Sequence, residues 1–479
     1  MARLVIVSNR VPVPGDRNPA AGGLAVALAD AITPGSLWFG WSGSRAATTA
    51  TEPMVRTVGG ITFATIDLGE TDYRRYYSGF ANSTLYPLLL FRLGLVSFRK
   101  EDYVAYRSVN RAFATALAPL LRPDDIIWIH DYHLLALAHE LRALGVTQRI
   151  GFFLHTPFVP PALFCVLPRA AELLEALCAC DVIGFHTEEY RAAFCDCVTT
   201  ILGIRTCADG TFTCQGRQVH VIVDPIGIDV AGFAATATRA ASGVATTALV
   251  QSLGGRQLAV SVDRLDYAKG LPNRIVAFDH LLSRYPVYRK RLTFLQIAAP
   301  SREELDHYRG LRRELDRAVG EINGRYSEPD WTPIRHITRP VRRTTLAGFY
   351  RRASLGVVTP FRDGMNLVAK EYIAAQSAAD PGVLVLSRFA GAAEELGEAL
   401  IVNPYDAEEI AEAMHRGLVM PLEERQARHA MLLASVRASS ARRYCERFIA
   451  ALDPPIDVDP VAADPIADVS HPRHAATSC

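Results

Sequence analysis

The stretch Ser354–Glu371 reads SLGVVTPFRDGMNLVAKE. Its first half is an unbroken apolar run ending at Thr359 and Pro360, and its second half opens a helix over Leu367, Val368 and Ala369. Arg362, Asp363, Gly364 and Asn366 stand between them, and the charged pair Lys370 and Glu371 follows. A run this short and this apolar suits a strand buried on both faces, as in a parallel sheet. The polar residues have two readings: a strand-to-helix turn with an N-cap, or a ligand site at the carboxyl end of a strand.

The same pattern recurs outward from this segment. LVIVSNR, DIIWIHD, IGFFLHT, DVIGFHT, VIVDPIGI, LAVSVDRLD, LTFLQIA and GVLVLSRF are apolar runs closed by polar or glycine punctuation. Helical stretches such as VNRAFATALAPLLR and ELLEALCACD lie between them. Strand–helix alternation predicts α/β domains with parallel sheets. The Ala-, Thr- and Gly-rich segment PIGIDVAGFAATATRAASGVATTALVQSLGGRQ precedes a new apolar strand at Leu258 and marks a boundary. The expected division is 1–235, 236–452 and a tail over 453–479. Two facing sheets would leave a cleft between domains, a common place for ligands.

With 479 residues and 49% hydrophobic content, the chain has enough apolar material for more than one core. A formal net charge of +1 excludes broad binding of nucleic acid or acidic membrane, so any anionic ligand is met by local clusters. The nine cysteines include the C-x-C pairs Cys178/Cys180 and Cys195/Cys197 but no C-x-x-C repeat. They read as free thiols in a reducing cytosol rather than as a zinc site. The N-terminal run LVIV is shorter than the ~7–15-residue core of a signal peptide. No stretch approaches the ~18 uncharged apolar residues of a membrane span. A cytoplasmic protein is expected. The final LDPPIDVDPVAADPIADVSHPRHAATSC, rich in Pro, Ala and Asp, reads as a disordered tail. Oligomeric state is left open, a homo-oligomer included.

Functional side chains follow nearly every strand. Ser8, Asn9 and Arg10 follow the first; His130, Asp131, Tyr132 and His133 follow IIWI; His155 and Thr156 follow GFFL. Asp263, Arg264, Asp266 and Lys269 follow LAVSV, and Asp363 and Asn366 follow GVVTPF. One such residue is a cap; five clusters at strand carboxyl ends point to a shared site. Arg10, Arg264, Arg302 and Lys269 suit phosphates through charge-assisted hydrogen bonds. Asp131, Asp363 and Glu371 suit sugar hydroxyls. AAGGLAVAL, with Gly22 and Gly23, is a Gly-Gly turn opening a helix, which favours an anion such as a diphosphate. No G-x-G-x-x-G and no Walker A loop is present. The combination points to a phosphorylated sugar, a nucleotide sugar, or both.

VSNRVP, GGLAVAL, LWFGWSG, IIWIHDYHLL, IGFFLHTPF, PIGID, SVDRLDYAKGLPNR, TPFRDGMNLVAKEYIAAQ and IVNPYD are, in this order, similar to the motifs of one family. The chain resembles the UDP-forming trehalose-6-phosphate synthase family of retaining glycosyltransferases over roughly residues 1–450. The resemblance implies a GT-B fold, two Rossmann-like parallel-sheet domains facing each other across a cleft. It implies transfer of glucose from UDP-glucose to glucose-6-phosphate, giving α,α-trehalose-6-phosphate and UDP, with no cofactor. By the same resemblance Arg10, Tyr77, Tyr86, Asp131 and Arg302 would hold the acceptor. Gly22 and Gly23 would lie against the donor diphosphate, and Arg264 and Lys269 would clamp it. His155 would contact donor glucose, and Asp363 would read its hydroxyls beside the backbone of Gly364, Met365 and Asn366. Leu367, Val368 and Glu371 would border the nucleotide. Asp131, His155, Arg264, Lys269 and Asp363 are the expected catalytic set.

Two positions depart from the family pattern. Tyr86 in NSTLYPLLLFRLG stands where the family usually has tryptophan, and His186 in GFHTEE stands where glutamine is expected. His186 reads as a hydrogen-bonded scaffold residue. Tyr86 motivates an alternative, a related transferase with another phosphorylated acceptor such as glycerol phosphate. A catalytically inactive glucose-6-phosphate-binding regulator is a further alternative. A double-displacement retaining mechanism needs two carboxylates about 5–5.5 Å apart. The resemblance assigns Asp131 and Asp363 to opposite ligands, so same-face attack is the expected course. No Asp-x-Asp closes a strand in these motifs, since Asp457–Asp459 lies in the tail, and no metal is expected.

Overall fold

The computed structural model describes residues 2–15, 28, 32–302 and 304–453. Gly22, Gly23 and nearly all of the expected tail lie outside them. All nine apolar runs form strands. The first sheet is built from β1 (Leu4–Arg10), β2 (Leu37–Ala46), β3 (Met54–Val58), β4 (Ile61–Gly69), β5 (Ile126–His130), β6 (Arg149–Phe153), β7 (Val182–Phe185), β8 (Thr211–Cys214) and β9 (Arg217–Val223). Their order is β3-β4-β2-β1-β5-β6-β7-β9-β8. The second sheet holds β10 (Gln257–Arg264), β11 (Leu292–Ala299), β12 (Ile334–Ile337), β13 (Leu355–Val358), β14 (Val383–Ser387) and β15 (Leu400–Val402), ordered β12-β11-β10-β13-β14-β15. Every pairing is parallel except the edge hairpins β3–β4 and β8–β9.

Register sets the site. Ser8 pairs with His130 and His130 with Phe153, so Arg10, Asp131 and His155 emerge along one carboxyl edge. In the second sheet Arg264 pairs with Ala299, which places Arg302 and Lys269 on adjacent loops at that edge. The central strands are mostly apolar because helices cover both their faces. Trp128 of β5 lies parallel to Phe448, at 4.5 Å and 11°. A Cβ at Gly151 of β6 would meet the Phe448 ring at 2.6 Å, so that strand accepts the helix only as glycine.

Phe448 belongs to the last described helix, Ala441–Leu452, which packs on β6 and β7. The helix Val230–Ala240, which contains the expected 235/236 boundary, packs on the helices Arg343–Arg352 and Leu367–Ala375 of the second sheet. The chain therefore crosses between the bodies near Ile226–Ile228 and returns near Ser439. The crossings touch: Ala441 N donates to Ile228 O at 3.3 Å, and a Cβ on Gly227 would fall 1.4 Å from Ser439 O. The fully buried Lys370 Nζ donates to Ile226 O at 2.8 Å and Ser439 Oγ at 3.2 Å, and pairs with Glu395 at 2.5 Å. Eight cysteines among the described residues are free thiols. No helix among the described residues is long and apolar enough to cross a membrane.

Candidate active site

The residues between the sheets form two groups. The first is a continuous aromatic wall with an arginine at each end. The Arg10 guanidinium lies 5.8 Å from the Trp41 ring. Trp41 stands 5.9 Å from Tyr77, which stacks on His133 at 5.6 Å and 11°. His133 stacks on Tyr132 at 4.1 Å, and Tyr132 on Tyr86 at 5.4 Å. The Arg302 guanidinium, from the second body, closes the wall 4.2 Å over the Tyr86 ring. Tyr77 lies in a π-helix, Tyr73–Leu85, whose wider turn is fixed by Asn82 Nδ2 donating to Tyr77 O at 2.8 Å. Burial and the neighbouring Arg302 push the His133 pKa well down, so this ring is neutral.

Asp131 follows β5 with φ +75, a left-handed backbone that turns its side chain into the cleft. Its carboxylate accepts from His155 N at 3.3 Å. Burial lifts its pKa to about 6, against the backbone donors of Tyr132 and His155 and the charges of Arg302 and Arg264. Burial lowers His155 to about 3, so this imidazole is neutral, with Nε2 3.1 Å from His130 Nδ1. His186 Nδ1 accepts from Ile226 N at 3.4 Å, the scaffold role expected of it.

The second group is the turn quoted at the outset. Asn366, at φ +81, caps the helix Leu367–Ala375 by accepting from Ala369 N at 3.3 Å. Its Nδ2 donates to Asp363 Oδ2 at 2.9 Å, and Lys269 Nζ reaches the same oxygen at 2.5 Å. Burial disfavours the Lys269 ammonium, but Asp363 and Asp263 outweigh it and hold the pKa above the usual lysine value. Met365 is buried, and Leu367 and Val368 are half-buried on the first helical turn. Glu371 is pinned by Arg343 Nε at 2.8 Å. Arg264 ends β10 exposed, and its side chain makes no hydrogen bond or ion pair with another described residue.

The two groups meet at Gly364, where a Cβ would lie 1.9 Å from His155 O. The capping reading of this segment is realised by Asn366, while Asp363 is tied to Lys269 and Gly364 lies against His155. Arg362 and Lys370 are consumed by the protein: Arg362 lies 3.9 Å over Phe91 and pairs with Glu189, while Lys370 is buried. Sequence reasoning left several neighbours unassigned. Trp41 lay inside the quoted LWFGWSG. Asp266, named after LAVSV but given no role, contacts Arg302, as does Tyr308, which had no local signal, and Gly43 lies against the Arg10 guanidinium. No group of three or more His, Cys, Asp or Glu able to hold a metal occurs among the described residues.

Two facing parallel sheets with cations and carboxylates along their apposed carboxyl edges define a GT-B glycosyltransferase. Residues 3–454 match the model of glycosyltransferase family 20, and the chain belongs to that family. It is 46% identical over 453 residues to the trehalose-6-phosphate synthase of Cronobacter sakazakii, covering 94% of each chain. The α,α-trehalose-phosphate synthase (UDP-forming) of Burkholderia xenovorans, solved in complex with glucose-6-phosphate, superposes with a TM-score of 0.91 at 45% identity, covering 94% of this chain and 100% of that one. A structure from Escherichia coli bound with UDP-2-fluoro glucose superposes with a TM-score of 0.89 at 44% identity, covering 95% and 100%.

Proposed function

We propose that this chain moves glucose from UDP-glucose to glucose-6-phosphate, releasing UDP and α,α-trehalose-6-phosphate. The observation that carries the reading is the arginine-ended aromatic wall facing the Asp363–Asn366 turn. The ligands of the two solved relatives support it, one an acceptor and the other a donor analogue. In this reading Arg10 and Arg302 take the acceptor phosphate, Tyr77 and Tyr86 flank the sugar, and Asp131 accepts from its hydroxyls. Arg264 and Lys269 take the donor diphosphate together with Gly22 and Gly23. Asp363 and His155 orient the donor glucose, and Gly364, Met365, Asn366, Leu367, Val368 and Glu371 border the donor.

The donor C1–O bond to phosphate breaks while the acceptor's anomeric oxygen bonds to C1 on the same face. The acceptor's hydroxyl proton passes to the departing phosphate oxygen. The protein contributes proximity and cationic stabilisation of the leaving group. Neutral His155 adds no charge beside the developing oxocarbenium ion. The domain division 1–235 and 236–452 belongs to the same reading, with the helix Val230–Ala240 packed on the second body and the helix Ala441–Leu452 on the first. Cytoplasmic residence is proposed on the free thiols. The test is UDP release from UDP-glucose with glucose-6-phosphate, glycerol phosphate or no acceptor. UDP release with glucose-6-phosphate alone, and trehalose-6-phosphate as product, is the expected outcome.

A further inference from the structure

Arg302 forms a buried ion pair with Asp266, a carboxylate that the proposed chemistry does not use. Asp266 is fully buried, and its Oδ1 accepts from Ala268 N at 3.0 Å. Three donors converge on Oδ2: Tyr86 OH at 2.8 Å, Tyr308 OH at 3.4 Å and Arg302 Nη1 at 3.5 Å. The shortest comes from the other body, 180 residues away. Arg302 is held in turn by Tyr308 OH at 2.7 Å, Tyr132 OH at 2.9 Å and the Tyr86 ring beneath it. Burial opposes the Asp266 charge, yet Arg302 and Arg264 keep its pKa below the usual carboxylate range. Asp266 is therefore an anion that competes with an incoming phosphate for Arg302. The Tyr86 hydroxyl offsets that competition, because a carboxylate oxygen with a short neutral donor holds its cation less tightly.

We propose that Tyr86 is a positioning residue for acceptor specificity: its hydroxyl ties Asp266 to the first body and so leaves Arg302 oriented and available for the acceptor phosphate. Tyr86 is the position at which the chain departs from the resembled family's tryptophan, so the device belongs to this chain. Without the hydroxyl, Asp266 turns fully on Arg302, and the arginine must break a stronger pair to meet phosphate. Ring stacking on Tyr132 would survive, so the effect falls on phosphate recognition rather than on the sugar or the donor.

The inference rests on the proposed acceptor and is tested with Tyr86→Phe, which keeps the ring. A hydrogen bond to a charged group corresponds to about tenfold in binding. Tyr86→Phe should raise KM for glucose-6-phosphate about tenfold, leave KM for UDP-glucose within about twofold, and narrow the preference for glucose-6-phosphate over free glucose. In an Asp266→Asn background, where no anion competes, the same substitution should add almost nothing. A purely structural role would move both KM values together and persist in that background, which would overturn the inference. An unchanged glucose-6-phosphate KM in an active Tyr86→Phe enzyme would also overturn it while leaving the proposed function intact. Absence of glucose-6-phosphate turnover in the parent defeats the functional reading, and the inference with it.

Discussion

Lys269 Nζ lies 2.5 Å from Asp363 Oδ2, so the cation after β10 and the carboxylate after β13 neutralise one another within the cleft. An arriving diphosphate must share the ammonium with Asp363. A hydrogen bond to a charged group contributes about 1.5–3 kcal/mol, and about 1.4 kcal/mol is one decade in rate. Lys269→Ala should lower kcat/KM by at least about tenfold in steady-state assays. Parent-like kinetics in the folded variant would remove Lys269 from the donor site.

Arg10 is tested through what it discriminates. Arg10→Ala should raise KM for glucose-6-phosphate far more than KM for UDP-glucose, and should shrink the preference for glucose-6-phosphate over glucose. A preference ratio at the parent value would remove Arg10 from the phosphate. Gly43→Ala offers an indirect check, since at φ +93 its Cβ would press on the Arg10 guanidinium at 2.5 Å. It should raise the same KM.

Asp131 predicts a pH dependence whose sign follows from the direction of its shift. Its folded pKa of about 6 exceeds the ordinary 3.8, so the carboxylate forms only as pH rises through about 6. Acceptor kcat/KM should climb across that range. His155, lowered to about 3, does not titrate there. The stability linked to protonated Asp131 is fully present below 3.8 and lost as pH rises through about 6. Asp131→Asn should therefore melt higher than the parent at pH 8 and gain less at pH 5, while losing turnover. A parent profile flat between pH 5 and 7 would contradict the assignment.

Gly364 is limited by sterics alone. A Cβ there meets His155 O at 1.9 Å, backbone against backbone, so no side-chain rotation relieves it. Gly364→Ala should cut kcat/KM at least about a hundredfold, about 2.7 kcal/mol, with little change in melting temperature. The contact joins separate bodies and not one core. Small-angle scattering should show a larger radius of gyration; a parent-like radius and rate would show that the contact is dispensable.

The strands were legible because each sheet interior is covered on both faces, which leaves apolar runs with no competing period. Six strands, β2, β3, β4, β8, β12 and β15, were not among those runs, and β3, β8, β12 and β15 are edge pieces. Arg10, Asp131, Arg264, Lys269 and Asp363 could be singled out as candidates because each ends or follows a strand. The bond from Tyr86 to Asp266 and the contact of Gly364 with His155 were not, because they join distant segments and leave no trace in local composition. The boundary near residue 235 was read from a shift in composition, and the contact of PIGID with Ser439 lies slightly earlier in the chain and left no local trace.

That crossing has a mechanical consequence. Two bodies tied at well-separated points are locked, but here both passes of the backbone run through one spot, stitched by the Lys370 ammonium. The covalent links between the bodies are thus concentrated at one place. Away from that spot no backbone among the described residues passes between the bodies, and side chains join them, as where Arg362 covers Phe91 and Tyr86 reaches Asp266.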